Sequence, residues 1–324
     1  MLQQTQVATV RDYYARFLQR FPDVQALAAA SSDEVLALWS GLGYYRRARH
    51  LHHAAQQVVR DFGGRFPGSA AALQALPGVG RSTAAAIAAF CFGERAAILD
   101  GNVRRVLART HALGEDLGSA AAQARLWALA ESLLPARGIE AYTQGLMDLG
   151  AEVCLPRAPR CDACPLAAIC IAHAQGDPLA YSARPRRARR GARSSLWLWL
   201  QSGAAIWLVP RPAEGIWAGL WSLPEFDSPE AVHAALPALA ARAGAPQAGA
   251  AFVHVLTHLD WTLQPLGWQL TERARRTLQP QLAKRWPEGR WVKIEAALAL
   301  GIPAPLRRLL LLQRAQRTTC LPRR

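Results

Sequence analysis

Apolar residues recur at helical spacing through most of the first half of the chain, and short apolar runs of strand length take over in the second. Val7, Val10, Tyr13, Tyr14 and Phe17 share one face, and no capping residue precedes them, so the pattern predicts a chain that begins inside a helix covering 1–20. Ser31 with Glu34 is a capping-box signature for a helix running through Trp39. Helices follow at 46–62 and 69–75, from Thr83 to the breaker Gly93, and at 102–112, 120–134 and 139–149. From Ser195 the pattern turns to strands, at 196–200, 204–209, 252–256 and 261–264, with helices at 229–243, interrupted by Pro237, and at 304–316. The first part reads as all-α and the second as α+β.

The helical part is punctuated at Leu76-Pro77-Gly78-Val79-Gly80-Arg81-Ser82-Thr83, where a proline and two glycines allow a tight hairpin between helices. Bare glycine amides and the positive end of the next helix offer a seat for a phosphate, although an ordinary helix-helix turn explains the same residues. One helix later comes Ile98-Leu99-Asp100-Gly101-Asn102-Val103, in which Asp100 is most simply a helix N-cap. Their separation adds meaning, because a carboxylate one helix beyond a DNA-gripping hairpin can face a sugar extruded from the duplex. Gly41-Leu42-Gly43-Tyr44-Tyr45-Arg46-Arg47-Ala48-Arg49 sets aromatics that can stack on bases beside arginines that can meet phosphates. A glycine turn before a solvated basic helix start accounts for it equally well.

At 324 residues with 51% hydrophobic content, the chain is long enough for two domains with sizeable cores. Its net charge of +15 favours a polyanionic partner, with a membrane surface as the alternative. The first residues lack the basic start and apolar core of a signal peptide, and no apolar run reaches membrane-spanning length, so a cytoplasmic, nucleoid-associated monomer is expected. Cys154, Cys161, Cys164 and Cys170 fall within one short segment interrupted by Pro156, Pro159 and Pro165. Four thiolates so close can enclose one metal centre, either structural zinc or an iron-sulfur cluster, and the spacing alone does not separate these. Arg157 and Arg160 lie between the first two cysteines and can reach a DNA backbone. Over 174–194, Arg184, Arg186, Arg187, Arg189, Arg190 and Arg193 describe a basic linker that either tracks phosphates or is simply solvated.

The hairpin, the spaced Asp and the four cysteines resemble the helix-hairpin-helix DNA glycosylases. Within them, Met-Leu-Gln-Gln-Thr-Gln-Val at 1–7, the Gly41 to Tyr45 motif and the Ile98 to Val103 motif resemble the adenine DNA glycosylases of the MutY type. The resemblance implies a helix-hairpin-helix domain over 1–150, a [4Fe-4S] loop over 151–173, the linker, and a Nudix-like lesion-recognition domain over 195–318. It implies that Asp100 stabilises the sugar cation and that Asn102 positions the attacking water. Gln3, Gln4 and Thr5 then wedge into the duplex, Leu42 and Tyr44 lie beside the lesion pair, and Gly78, Gly80 and Ser82 grip the backbone. Gln144 lines the adenine pocket, Thr257 and His258 read 8-oxoguanine, and the four cysteines hold the cluster.

Four departures matter. The family's general acid, a glutamate, would fall two residues before Met1; either the start is assigned too far downstream, which explains the uncapped first helix, or the chain has lost its acid. Ser82 stands where strand-cleaving relatives of the endonuclease III type carry a Schiff-base lysine, so the expected product is an abasic site. The helix after Glu225 carries only Glu230, too few carboxylates to hold Mg²⁺ for nucleotide hydrolysis. In His254-Val255-Leu256-Thr257-His258, Thr257 replaces the usual serine and Leu256 the usual aromatic. The implied activity is removal of adenine opposite 8-oxoguanine or guanine from double-stranded DNA. A non-enzymatic lesion binder and a bifunctional glycosylase with lyase activity are the alternatives.

Overall fold

The computed structural model describes residues 1–3, 5–114, 116–181 and 190–319. Gln4 and the linker residues Arg184, Arg186, Arg187 and Arg189 lie outside the described residues. The helical part comprises α1 (Val7–Arg20), α2 (Val24–Ala29), α3 (Ser32–Trp39), α4 (Arg46–Phe62), α5 (Ala70–Gln74), α6 (Arg81–Phe92), α7 (Gly101–Thr110), α8 (Ala120–Ser132), α9 (Ile139–Asp148) and α10 (Ile171–Ala174). It is followed by β1 (Gly191–Ser202), β2 (Ala205–Pro210), β3 (Trp221–Ser222), β4 (Glu225–Phe226), α11 (Pro229–Ala235) and α12 (Pro237–Ala243). Then come β5 (Gln247–Ala248), β6 (Phe252–Val255), β7 (Leu259–Gln269), α13 (Glu272–Arg285), β8 (Arg290–Lys293), α14 (Ile294–Ala297) and α15 (Ala304–Thr319).

The chain divides into two compact units, one of residues His53–Arg187 and one that joins Met1–His52 to Ala188–Arg324. The helical pattern over 1–150 gave no sign of this division, which falls inside α4.

In the central unit, α6 buries Ala84, Ala85, Ala88 and Ala89, and these small side chains let Ile98, Leu99, Val103, Leu107 and Leu126 close around it. Ser69 caps α5, Asp100 caps α7 and Ser119 caps α8, each accepting first-turn amides, and of the three the sequence signals predict the cap at Asp100. Gly93, at φ +67°, ends α6 in the left-handed conformation that glycine adopts without penalty.

In the composite unit, β1 runs parallel to β7 from Gly191↔Leu259 to Gln201↔Gln269, while β2 and β4 pair antiparallel to β1 and β6 pairs antiparallel to β7. A parallel pair demands a long crossover, which the intervening strands and helices provide. Trp197, Trp207, Trp261 and Trp268 are almost wholly buried on this sheet. Each indole contributes about 4–6 kcal/mol of burial before ordering costs.

The first helices pack on this domain through backbone-level contacts. A Cβ at Gly301 would sit 2.7 Å from Leu36 Cβ, the Trp221 indole N–H donates to the Asp33 carboxylate at 3.1 Å, and Ser40 Oγ donates to the Ile302 carbonyl at 3.0 Å.

Two expectations are corrected. The first helix starts at Val7, and ahead of it Thr5 N–H donates to the Leu2 carbonyl at 3.3 Å; the Arg47 guanidinium takes up the Met1 and Gln3 carbonyls that a helix would have used. The predicted linker gives way to strand at Gly191, because pairing with β7 extends β1 five residues ahead of the apolar run at 196–200.

Candidate active site

In the central unit, Gly78 turns the hairpin at φ +77°, and Val79 N–H closes it on the Leu76 carbonyl at 3.1 Å. Gly80 caps α6 without a side chain, and both glycines are exposed. Arg81 lies over the Trp127 ring at 3.8 Å and pairs with Glu131. Ser82 Oγ accepts Leu99 N–H at 3.0 Å. The hydroxyl in the lysine position thus fixes the backbone one residue before Asp100.

Asp100 does act as an N-cap. Its Oδ1 accepts Asn102 N–H at 2.9 Å and Val103 N–H at 2.8 Å, and among the described residues no hydrogen bond reaches Oδ2. The carboxylate is half-buried, oriented by one oxygen and open at the other.

Asn102 is held as closely. A Cβ at Gly150 would lie 2.6 Å from Asn102 Cβ and 3.1 Å from its backbone, so only glycine fits there. Gly150 belongs to a π-helical turn, Leu149–Val153, that ends α9 and delivers Cys154. Arg105 ties these parts together by donating to Asn102 Oδ1 at 2.9 Å, to the Gly150 carbonyl and to the Cys154 carbonyl at 2.7 Å. Gln144 lies exposed on α9 and donates to Asp148 Oδ1 at 2.7 Å.

Cys154, Cys161, Cys164 and Cys170 line a single cavity beside Arg109. Arg109 is 1% exposed and donates to Cys154 Sγ at 3.2 Å and to the Leu155 carbonyl at 2.8 Å. Burial pushes the Cys161 thiol up, and the other three cysteines push it further, against the opposing pull of Arg109. Among the described residues no three His, Cys, Asp or Glu side chains converge tightly enough for one metal ion. Tetrahedral zinc needs all four sulfurs about 2.3 Å from one point, whereas a multi-iron centre holds them further apart. Four thiols around one cavity are a donor set able to hold a metal centre. Arg157 and Arg160 are exposed on this loop.

In the composite unit, Gly41 (φ +110°), Gly43 (φ +71°) and Tyr44 (φ +48°) form a left-handed run, with a side chain at Gly41 excluded by the Tyr13 hydroxyl. Tyr44 pays a steric penalty that its glycine neighbours avoid, and strain of this kind marks functional loops. Tyr44 is 51% exposed, whereas Leu42 is buried at 6%. Arg47, which sequence reasoning left as one of several basic residues, organises the loop. It donates to the Gln3 carbonyl, to Thr5 Oγ1 at 3.0 Å and to the Gly43 carbonyl at 3.3 Å, while lying over Trp39 and Tyr44.

The Tyr44 hydroxyl meets Thr257 Oγ1 at 3.1 Å, joining two predicted site residues 213 positions apart. Thr257 and His258 are both exposed in the turn between β6 and β7. Arg190 donates to the Leu256 carbonyl at 2.8 Å and pairs with Asp260, while Gly191 N–H donates to the His258 carbonyl at 2.9 Å. Arg105, Arg109 and Gly150 are the residues that sequence reasoning missed, and Arg47 and Arg190 were read only as members of basic runs. Only the i,i+3 spacing of Asn102 and Arg105 hinted at one of them.

Residues 1–132 match the HhH-GPD superfamily of base excision DNA repair proteins, and 196–312 match the NUDIX domain. A helix-hairpin-helix repair domain followed by a Nudix-like domain with a mixed sheet defines the chain as a DNA N-glycosylase, and DNA as what it acts on. Adenine DNA glycosylase of Rattus norvegicus is 37% identical, over 92% of this chain and 68% of its own length. The Homo sapiens relative is 35% identical over 99% and 68%, and that of Buchnera aphidicola (strain Bp) 32% identical over 96% and 86%. This chain belongs to the adenine DNA glycosylase family, and it spans about two thirds of the length of its mammalian relatives. No helix among the described residues is long and apolar enough to cross a membrane.

Proposed function

We propose that this protein removes adenine mispaired with 8-oxoguanine or guanine, leaving an abasic site. The observation that carries the reading is the contact of Tyr44 with Thr257, because it joins the two loops assigned by resemblance to the mispair. Adenine must leave the stack to expose its glycosidic bond, and Gln3, Gln4 and Thr5 are the residues to fill the gap. Gly78, Gly80 and Ser82 present the hairpin to a backbone phosphate, and Gln144 meets the extruded base.

As the bond breaks, positive charge develops on the sugar, and Asp100 offers Oδ2 to it while Oδ1 stays on the helix cap. A carboxylate oriented before the reaction stabilises that charge without reorganising. Asn102, locked against Gly150, then orients water toward the anomeric carbon. By the resemblance, the proton for the departing adenine comes from a general acid, a glutamate in the family. Ser82 carries no amine, which disfavours the lyase alternative.

We infer that Cys154, Cys161, Cys164 and Cys170 hold a [4Fe-4S] cluster. Bound there, it supplies a cross-link fixing the loop that carries Arg157 and Arg160. The reading is tested by single-turnover release of adenine from duplexes containing A:8-oxoguanine, A:G or A:T, with this chain and with one extended upstream. Fastest release from A:8-oxoguanine without strand scission is expected. Equal release from all three duplexes overturns the assigned mispair, and release of adenine by neither chain leaves a lesion-binding protein.

A further inference from the structure

A cavity of about 560 Å³ opens between β4 and the end of α13, within the composite unit and on a different wall from the β6–β7 turn. Its volume lies in the range of small-molecule pockets, about 300–1,000 Å³. Arg193, Arg211 and Arg285 line it together with Phe226 and Trp286. Glu225 is 13% exposed and fully engaged: Oε1 accepts from Arg193 and, at 2.7 Å, from Ser195 Oγ, and Oε2 accepts from Arg211 at 2.7 Å. A carboxylate committed in this way is neither a free base nor a metal ligand; Asp227, exposed, also lines the cavity, and α11 adds only Glu230. Three guanidiniums against the carboxylates of Glu225 and Asp227 leave the lining cationic.

Its charge points to an anion. Arg285 packs over the Phe226 and Trp286 rings, and among the described residues it has no ion pair. Arg211 spends Nε on the Ile216 carbonyl and Nη1 on Glu225, and Arg193 uses one nitrogen on the same carboxylate. The other donors of these planar forks match phosphate oxygens, and the aromatic wall suits an apolar body.

The same arginines support the lesion-reading hairpin. Arg193 lies 4.4 Å over the Trp261 ring and Arg211 5.6 Å, and the Trp261 indole N–H donates to Ser195 Oγ at 3.1 Å. Trp261 stacks on Trp217 at 4.8 Å, and Trp217 meets His254 at 5.2 Å. His254 and Trp261 are register partners in β6 and β7, whose turn carries Thr257 and His258.

We propose that this cavity binds a phosphate-bearing small molecule, and that binding draws Arg193 and Arg211 toward the phosphate and so alters how the β6–β7 turn reads the base opposite adenine. The second half rests on the assignment of Thr257 and His258 above; the first does not.

The full chain is titrated with inorganic pyrophosphate and with 2′-deoxyadenosine 5′-monophosphate, read by calorimetry and by tryptophan emission. Saturable binding is expected, weakened at least about fivefold by Arg285→Gln and further by Ala231→Phe, which fills the cavity. Thermal melts check that both variants fold. Absence of saturable binding, or equal affinity in both variants, overturns the site. If neither probe binds and Arg285→Gln weakens duplex affinity, the phosphate is that of the DNA backbone, and the small-molecule assignment falls. With the site established, saturating pyrophosphate is expected to change the affinity ratio of A:8-oxoguanine to A:G duplexes at least twofold. An unchanged ratio overturns the coupling, whereas a ratio of one without probe overturns the lesion-reading assignment itself.

Discussion

The two units solve the positioning problem with opposite materials. In the central unit, small parts do the work: four buried alanines on α6, the Ser82 hydroxyl, a one-oxygen cap at Asp100 and a glycine pressed against Asn102. In the composite unit, large ones do, with stacked indoles and arginines bracing the turn that carries Thr257, and Arg47 gathering carbonyls from two stretches of backbone. Bond chemistry tolerates little displacement and is served by short contacts on rigid backbone. Recognition of a mispair needs broad surfaces that loops can present.

That contrast breaks most visibly at Asp100. Asp100→Asn keeps a good cap, since asparagine caps about as well as aspartate, but removes the charge. Adenine release should fall by about 10²–10⁴-fold with the melting temperature nearly unchanged, measured by single-turnover rates beside thermal melts. A parallel collapse of stability would make the residue structural instead. Next in size, Gly150→Ala should cost about 1–3 kcal/mol in denaturant unfolding, because its methyl meets Asn102 backbone that cannot yield. Release should slow with it.

The composite unit is sharpened by a double-mutant cycle of Tyr44→Phe and Thr257→Val. Coupling of about 0.5–1 kcal/mol in duplex affinity is expected if the two hydroxyls act as one reader. Strict additivity would show two independent loops. The smallest effect concerns His254, whose pKa burial lowers, with Arg308 pushing the same way. The folded state then holds the proton less well than the unfolded chain, so its contribution is full above the unfolded value of about 6.5 and is lost as pH falls through the folded one. Melts between pH 7.5 and 5 should show a loss that His254→Asn reduces.

What could be read in advance follows the same division. The capping box of Ser31 and Glu34, the full extent of α4 and the cap at Asp100 are decided by neighbours in sequence, and so were legible. The sheet edge at Gly191, the short strands β3, β4, β5 and β8, and α13 with its internal Pro280 depend on partners far along the chain. At the site, motifs named Asp100, Asn102, Tyr44 and Thr257, but no local pattern says that Arg105 reaches Cys154 or that Arg47 collects the carbonyls of Met1 and Gln3. Such arginines bond to main chain, and main-chain carbonyls leave no mark in sequence.

The packing of Leu36 on Gly301 has a consequence for how the protein is made. A ribosome adding about 5–20 residues per second finishes the opening helices on the order of ten seconds or more before it delivers the sheet they lie against. Val35, Leu36 and Trp39 must pass that interval without their eventual cover, while the segment that follows them can already close on its own alanine core. Nascent chains halted shortly before Gly301 should therefore hold the opening residues open to protease while protecting the hairpin.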